Sequence, residues 1–266
     1  MMTMMMKGLC RALQGGSVSR SSAAVVVGER KKTFQRYAST AISSQQAAGH
    51  PDVLYYEDVV TEEEASSLLR DCDKRLANKR YQGSHFDAVI VDYKETEMPF
   101  RNWSPESLAV IRRLFAFAFD KAGLPTNTPH LAPHVIDLKP KTGVIYPHVD
   151  SLKHGGEIVA SLSLVSTRTM RLTEPPKDFQ VGTKLDLASD KRDKTEVEYV
   201  LRPRTFYILT KSARYDMAHE IFKGDERRVS IVFRDQPKDF MPDWAKEFMS
   251  NNNSNAPSSG MTNAAS

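Results

Sequence analysis

The sequence predicts a mainly-β domain with flanking helices, in which antiparallel strands close into a sandwich or jelly roll. Three observations support this. Two amphipathic helix patterns with clear start and stop signals lie in the first half of the chain. From residue 133 onward, short apolar or alternating runs are separated by turn residues, which is typical of antiparallel sheets. Hydrophobic residues make up 40% of the 266 residues, which is enough for a core.

The first helix is predicted to begin after Thr61. Thr61 and Glu64 have the spacing of a capping box, in which each side chain accepts a hydrogen bond from the backbone N–H of the other residue. Apolar residues then recur at helical spacing and define an inward face. They are Leu68, Leu69, Cys72 and Leu76.

The second helix is predicted to begin at Ser104-Pro105, because serine caps a helix and proline is favoured in its first turn. Gly123 and Pro125 are predicted to end it. Its inward face comprises Leu108, Ile111, Leu114, Phe115 and Ala118. We expect both helices to precede the strands.

The strands are predicted from residue 133 to residue 234. They are 133–138, 143–150, 157–165, 196–202, 205–210, 214–221 and 228–234. Segment 173–195 is charged and interrupted by Pro and Gly, which predicts a long loop.

The two ends of the chain differ in composition from the middle. Residues 1–40 are rich in Arg, Ser and Ala and poor in acids, which favours a mitochondrial transit peptide over a chloroplast one or a disordered tail. Residues 250–266 carry no charge and almost no large apolar residue, so a disordered tail is predicted. The folded body is then residues 52–249, the size of one domain.

Charge and cysteine content exclude several classes of protein. Residues 1–51 hold 7 of the 37 basic and 1 of the 33 acidic residues, which leaves 30 basic and 32 acidic residues for 52–266. A nearly neutral body gives no electrostatic argument for nucleic-acid binding. Cys10 and Cys72 cannot form a disulfide framework or a zinc finger. No apolar run approaches the roughly 20 residues of a membrane span, so none is expected.

A metal site is predicted from His148, Asp150 and His219. Residues two apart in a strand point to the same side, so His148 and Asp150 present an imidazole and a carboxylate together. His219 follows on the predicted strand 214–221. Two histidines and one carboxylate form the facial triad of non-haem Fe(II) sites, which leaves coordination positions open. A His-x-Asp sequence or a single histidine is also common in purely structural roles, and that alternative stays open.

Two arginines extend the pattern. Arg228 and Arg234 fall on the same face of the predicted strand 228–234, roughly 20 Å apart along the backbone. Long arginine side chains that lean inward could both reach a five-carbon dicarboxylate at the metal, and the guanidinium group binds carboxylates through two hydrogen bonds. Solvated charges at a sheet edge are the alternative.

This ordered set resembles the motif of the AlkB family of Fe(II)/2-oxoglutarate dioxygenases. The resemblance covers about residues 53–237 and is greatest to the mitochondrial AlkB-homologue branch, the seventh in animals. Besides the motif, it rests on Arg80-Tyr81-Gln82, His85-Phe86-Asp87-Ala88, Glu95-Thr96-Glu97, Ser161-Leu162-Ser163-Leu164, Met170-Arg171-Leu172, Tyr207-Ile208-Leu209 and Ser212-Ala213-Arg214-Tyr215-Asp216.

The resemblance implies a double-stranded β-helix and a set of site residues. Iron would be bound by His148, Asp150 and His219. The co-substrate 2-oxoglutarate would be held by Arg228 and Arg234, with a hydrogen bond from Tyr207, and O2 would be the second co-substrate. Asp137 would orient an arginine or a water molecule, and His85, His134 and His154 would be structural.

The resemblance also implies a mitochondrial oxygenase, in the matrix, that oxidises a protein or RNA substrate. The branch is linked to fatty-acid metabolism, programmed necrosis and mitochondrial tRNA demethylation. Family members that repair DNA carry a nucleotide-recognition lid ahead of the jelly roll, whereas a short segment, 123–131, joins the second helix to the sheet here, so duplex DNA is not expected. A non-catalytic interaction module and a cupin-like metal enzyme that does not use 2-oxoglutarate stay open as alternatives.

Overall fold

The computed structural model describes residues 49–186 and 194–237. The predicted transit peptide (1–40) and tail (250–266) lie outside them, so the division into three segments stays a prediction. The helices are α1 (Glu62–Leu76), α2 (Pro105–Ala122) and α3 (Lys211–Tyr215). The strands are β1 (Val53–Tyr56), β2 (Gln82–Ser84), β3 (Ile90–Glu97), β4 (His134–Leu138), β5 (Val144–His148), β6 (Val159–Leu164), β7 (Arg168–Thr173), β8 (Glu196–Leu201), β9 (Phe206–Leu209), β10 (Ala218–Ile221) and β11 (Arg228–Arg234).

The strands form one antiparallel sheet in the order β1-β9-β6-β11-β4-β3-β5-β10-β7-β8, with β2 paired to β3. Apart from β3-β4 and β7-β8, neighbours in this order are not consecutive in sequence, as expected when a sheet folds over into a jelly roll. The prediction of a mainly-β fold with flanking helices is therefore confirmed. The pairing places β5 beside β10, so that His148 lies opposite His219.

Alternation along the strands separates two apolar clusters. Val229, Ile231 and Phe233 of β11 pack with α1 and α2. Val232, on the opposite face, packs with Tyr207 in a second cluster. The predicted alternation of β11 is confirmed, and it directs Arg228 and Arg234 away from the helices.

The two long helices begin and end as predicted. Both hydrogen bonds of the Thr61–Glu64 capping box are formed, and loss of such a cap typically costs about 1 kcal/mol. Ser104 caps α2, and Gly123 ends it with a φ of 73°, a left-handed conformation that favours glycine. Among the described residues, no helix has both the length and the apolar character that a membrane crossing requires.

Several predicted element boundaries are wrong. Strands β1, β2, β3 and β7 were not predicted, and three of them precede α2, so the helices do not both come before the strands. Polar and charged residues interrupt the apolar alternation of β3, whose sequence is IVDYKETE. The predicted strand 214–221 is a strand only from Ala218, because the backbone N–H groups of Arg214 and Asp216 bond to Thr210 and Ser212 and close the short helix α3.

Candidate metal centre

The structure brings together the three predicted metal ligands. His148 is the last residue of β5, and His219 lies opposite it on β10. Asp150 lies two residues beyond the end of β5, not within a longer strand as predicted. One ligand atom from each of the three side chains lies within 4.8 Å of the other two. Among the described residues, this is the single cluster of at least three His, Cys, Asp or Glu side chains with such spacing.

The hydrogen bonds of His148 assign its tautomer. Nδ1 lies 2.9 Å from the carbonyl oxygen of Tyr146, which can only accept, so Nδ1 carries a proton. Nε2 lies 2.9 Å from Oδ1 of Asp150. A nitrogen lone pair facing a carboxylate oxygen at this distance needs a cation or a proton between them. Two ligands at right angles, each about 2.1 Å from a divalent ion, lie about 3.0 Å apart, so the pair fits a metal ion.

Asp150 is held in its ionised form. Burial raises its pKa, but the guanidinium group of Arg234 and the neighbouring His148 outweigh burial, so the pKa lies well below its usual range. Arg234 donates to Oδ2 from Nε at 3.2 Å and from Nη2 at 3.0 Å. Oδ1 is thereby left to face His148.

His219 is held in its neutral form. Burial is the main cause that lowers its pKa to about 3, and the nearby His148 contributes in the same direction. The two imidazole rings lie 4.3 Å apart, centroid to centroid. A histidine must be neutral to bind a metal, so burial prepares His219 for ligation at neutral pH.

Arg228 is a buried cation with no acidic partner among its hydrogen bonds to the described residues. Only 1% of its surface is exposed. Nη1 donates to Oγ of Ser230 and Nη2 to Oγ of Ser163, each at 3.0 Å, while Nε has no partner among the described residues. Burial lowers its pKa to about 10, so the side chain stays charged at neutral pH. An uncompensated buried charge is costly, which indicates a place for an anion.

Tyr207 lies on the same cavity as Arg228. It is buried on β9, and burial raises the pKa of its phenol even though the charge of Arg228 opposes that shift. The phenol therefore keeps its proton and can donate a hydrogen bond. Ser161, which also lines the cavity, has a buried Oγ without a partner among the described residues.

One cavity of about 960 Å³ joins the metal ligands to the arginines and Tyr207. Its wall also includes His85, His134 and His154, which sequence reasoning treated as structural. Nε2 of His134 lies 3.0 Å from Glu95, on the unpredicted strand β3. Sequence reasoning missed Glu95 as a cavity residue because the charged pattern of β3 concealed a strand.

Asp137, which was expected at the site, and Tyr146 are not part of the cavity wall. Asp137 binds Nε of Arg227 at 3.0 Å and accepts a hydrogen bond from Tyr81 at 3.2 Å. Arg227 also binds Asp73 of α1. The arginine that Asp137 contacts therefore links the sheet to a helix and does not reach the cavity. Tyr146 contributes its carbonyl to His148, and its ring lies 3.6 Å from Nζ of Lys184.

A jelly roll that carries a His-x-Asp pair and a distant histidine at one cavity defines a class, the non-haem metal oxygenases. The chain is 36% identical over 192 residues to "Alpha-ketoglutarate-dependent dioxygenase alkB homolog 7, mitochondrial" of Bos taurus, which covers 67% of this chain and 76% of that one. It is 33% identical over 215 residues to the Mus musculus protein of the same name, covering 76% and 84%. The chain belongs to the alkB homolog 7 family of alpha-ketoglutarate-dependent dioxygenases.

A solved structure shares the fold at low sequence identity. A prolyl hydroxylase from Trichoplax adhaerens, in complex with a peptide fragment of a hypoxia inducible factor oxygen degradation domain, aligns with a TM-score of 0.52 and 8% identity. The alignment covers 83% of this chain and 96% of that one. No family model matches the chain.

Proposed function

We propose that this dioxygenase holds Fe(II) on His148, Asp150 and His219 and binds 2-oxoglutarate against Arg228 and Tyr207. The observation that carries the proposal is the approach of three potential ligand atoms to within 4.8 Å of one another on a cavity that also contains a buried, uncompensated arginine. When bound, Fe(II) with 2-oxoglutarate and O2 supplies the oxidation of a C–H bond, with release of succinate and CO2.

The protein contributes charge neutralisation and orientation. Arg228 offers a buried guanidinium group, already oriented by Ser163 and Ser230, to the carboxylate of the co-substrate that lies farther from the metal. Tyr207 donates its phenolic proton to the same co-substrate. Because these donors are positioned before binding, little ordering free energy is lost when the anion arrives.

Arg234 has a different place from Arg228. Its guanidinium group binds Oδ2 of Asp150, so it acts first on a metal ligand, by keeping that carboxylate ionised and turned toward His148. Contact between Arg234 and the metal-proximal carboxylate of 2-oxoglutarate stays part of the proposal, since Arg234 lines the cavity and binds the proposed metal ligand Asp150.

The proposed substrate is a protein or a mitochondrial RNA, and the proposed location is the mitochondrial matrix. The mitochondrial names of the relatives and the basic residues 1–51 support this location. The cavity wall includes Asp87, Glu95 and Glu97 as well as Lys79 and Lys153. Duplex DNA binds to continuous basic surfaces, and this mixed charge does not provide one. The charge distribution therefore supports excluding duplex DNA as a substrate. Roles in fatty-acid metabolism, programmed necrosis and tRNA demethylation follow from the resemblance.

The test begins with metal-free protein under anaerobic conditions. Addition of Fe(II) and 2-oxoglutarate should produce the visible absorption band of their protein-bound complex, and admission of O2 with mitochondrial RNA or matrix protein should release succinate. His219→Ala should abolish the band. His130→Ala is the matched control, because that imidazole stacks on Phe115 and is not part of the cavity wall.

Three outcomes separate the alternatives. A band with no succinate from any matrix substrate would favour a non-catalytic module. Oxidation that needs the metal but not 2-oxoglutarate would favour a cupin-like enzyme. A band that survives His219→Ala would contradict the proposed ligand set.

A further inference from the structure

Arg214 is a second buried cation near the metal site, and neither the predicted ligand set nor the proposed co-substrate contacts use it. It lies on α3 with 2% of its surface exposed. Its hydrogen bonds go to backbone carbonyls: Nη1 donates to Asp150 at 2.9 Å, and Nη2 donates to Gly155 at 3.0 Å and to Ser151 at 3.5 Å. None of its hydrogen bonds within the described part of the chain goes to a carboxylate.

These carbonyls belong to the segment that carries one metal ligand. Because β5 ends at His148, the regular ladder of the sheet does not hold Asp150. The carbonyl of Asp150 is instead bound by Arg214, while Val149 accepts from Gly182 at 2.9 Å. The backbone of Asp150 is therefore bound by a side chain from α3, while Arg234 binds its carboxylate.

Neighbouring residues leave space for the Arg214 side chain and add contacts to the same loop. A Cβ atom at Gly155 would lie 3.4 Å from Nη2 of Arg214 and 3.0 Å from Cδ of Arg234, so glycine lets both arginines pass. The ring of Tyr215 lies 5.2 Å from the guanidinium carbon of Arg214, and its hydroxyl donates to the carbonyl of Gly156 at 3.3 Å. Segment 150–156 is thus attached to α3 at several points.

The cost of burying Arg214 argues against simple space filling. Removing a guanidinium group from water without an ion-pair partner is unfavourable, and an apolar side chain of the same length would fill the volume at lower cost. The described contacts of the charge with Asp150 and its loop give a reason for retaining an arginine. We propose that Arg214 is a positioning residue that holds the Asp150 loop in its metal-binding geometry; this rests on the proposed metal site.

The test measures Mn²⁺ affinity of the metal-free full chain by electron paramagnetic resonance, without 2-oxoglutarate. Arg214→Met keeps the length of the side chain and removes its donors. Groups that orient metal ligands typically contribute 10- to 100-fold to affinity, so we expect a loss of about that size. Arg214→Lys keeps the charge but cannot reach all three carbonyls, and we expect a smaller loss, about three- to tenfold on the same scale.

Arg168→Met is the matched control. Arg168 is also buried, with 4% of its surface exposed, and it binds the carbonyls of Gly224 and Glu226, on the loop that precedes β11. The Arg168→Met substitution should lower the free energy of unfolding, as we expect for Arg214→Met, without changing Mn²⁺ affinity. An equal loss of affinity in both variants would assign the effect to general destabilisation and overturn the proposal.

The remaining outcomes are distinct. Wild-type affinity in the folded Arg214→Met variant would overturn the role of Arg214 alone. If Arg214→Met does not fold, Arg214→Lys decides, and wild-type affinity there overturns the proposal. Failure of the wild-type chain to bind Mn²⁺ would instead contradict the proposed metal site, on which this role depends.

Discussion

At the scale of single residues, the buried and partly buried arginines indicate where the site binds anions and where its backbone is fixed. Arg228 and Arg234 line the cavity, and Arg214 binds the loop that carries Asp150. The three differ in what they bind, which is serine hydroxyls, a carboxylate and backbone carbonyls, respectively. The sequence predicts the first two, because they alternate on one strand. It does not predict Arg214, since that role depends on a loop position and not on a periodic pattern.

Substitution of Arg228 should separate co-substrate binding from metal binding. A hydrogen bond to a charged group contributes about 1.5–3 kcal/mol, so Arg228→Met should weaken 2-oxoglutarate binding about 10- to 100-fold while Mn²⁺ binding is kept. Calorimetric titration of the Mn²⁺-loaded protein with 2-oxoglutarate measures the change.

Arg227→Met is the neighbouring control for this substitution. Arg227 binds Asp73 and the buried Asp137 outside the cavity, so its loss should reduce stability and leave 2-oxoglutarate affinity intact. Unchanged affinity in Arg228→Met would show that its charge serves the fold alone.

Whole elements were predictable where local signals are strong. Caps and periodic apolar faces define α1 and α2, and short apolar runs define β4, β6 and β9. The strand β3 was not predictable in this way, because Tyr93 is its one fully buried residue and because it carries charges toward the cavity. The end of helix α3 falls within the predicted strand 214–221, since a five-residue helix has too few turns to show a period.

The contact between α1 and α2 should depend on pH through Glu64. Glu64 binds Nη1 and Nη2 of Arg113 at 2.6 and 2.7 Å; burial raises its pKa, but the hydrogen bonds from Arg113 and Thr61 outweigh burial and leave the pKa below its usual 4.5. Its stabilising contribution is therefore complete above the unfolded-state pKa of 4.5 and is lost as pH falls through the lower folded-state pKa. Glu64→Gln should cost about 1–2 kcal/mol at pH 7.

Urea unfolding of the wild type and Glu64→Gln at several pH values measures this difference. The difference should shrink as the pH falls below 4.5, because the wild-type carboxylate is then protonated as well. A difference that is the same at pH 7 and in acid would mean that ionisation of Glu64 does not stabilise the helix pair.

Part of the long loop 173–195 packs beside the proposed metal ligands. Leu185 donates its backbone N–H to Pro147 at 2.7 Å and packs against Val149 and Ala218, each of which neighbours a proposed metal ligand. Leu185→Ala should cost about 2–3 kcal/mol of unfolding free energy and weaken Mn²⁺ binding.

Leu152→Ala is the control for this substitution. It removes an exposed leucine near the same site and should change stability by less than about 0.5 kcal/mol. Equal behaviour of the two variants would exclude a supporting role for the loop.

The whole molecule brings together residues that sequence spacing leaves unrelated. His219 follows Asp150 by many residues, yet the pairing of β10 with β5 places it directly opposite His148. The residue types of the triad were predictable from the sequence. Their meeting depends on the strand order of the complete sheet, and the contribution of β3 to the cavity wall was not predictable from periodicity.

Metal and co-substrate should stabilise the folded chain together. A ligand that binds only the folded state raises stability by about 2.7 kcal/mol at 100 times its dissociation constant. We expect 2-oxoglutarate to raise the midpoint of thermal unfolding much more in the presence of Mn²⁺ than in its absence, because the metal supplies one of its anchors. Equal shifts with and without metal would place the co-substrate away from the metal ligands.

The most direct test of the account is anomalous diffraction at the manganese edge from crystals grown with Mn²⁺ and 2-oxoglutarate. The account predicts one metal ion per chain, about 2.0–2.3 Å from His148, Asp150 and His219, with the distal carboxylate of 2-oxoglutarate bound to Arg228. A metal that does not contact His219, or a distal carboxylate directed away from Arg228, would contradict it.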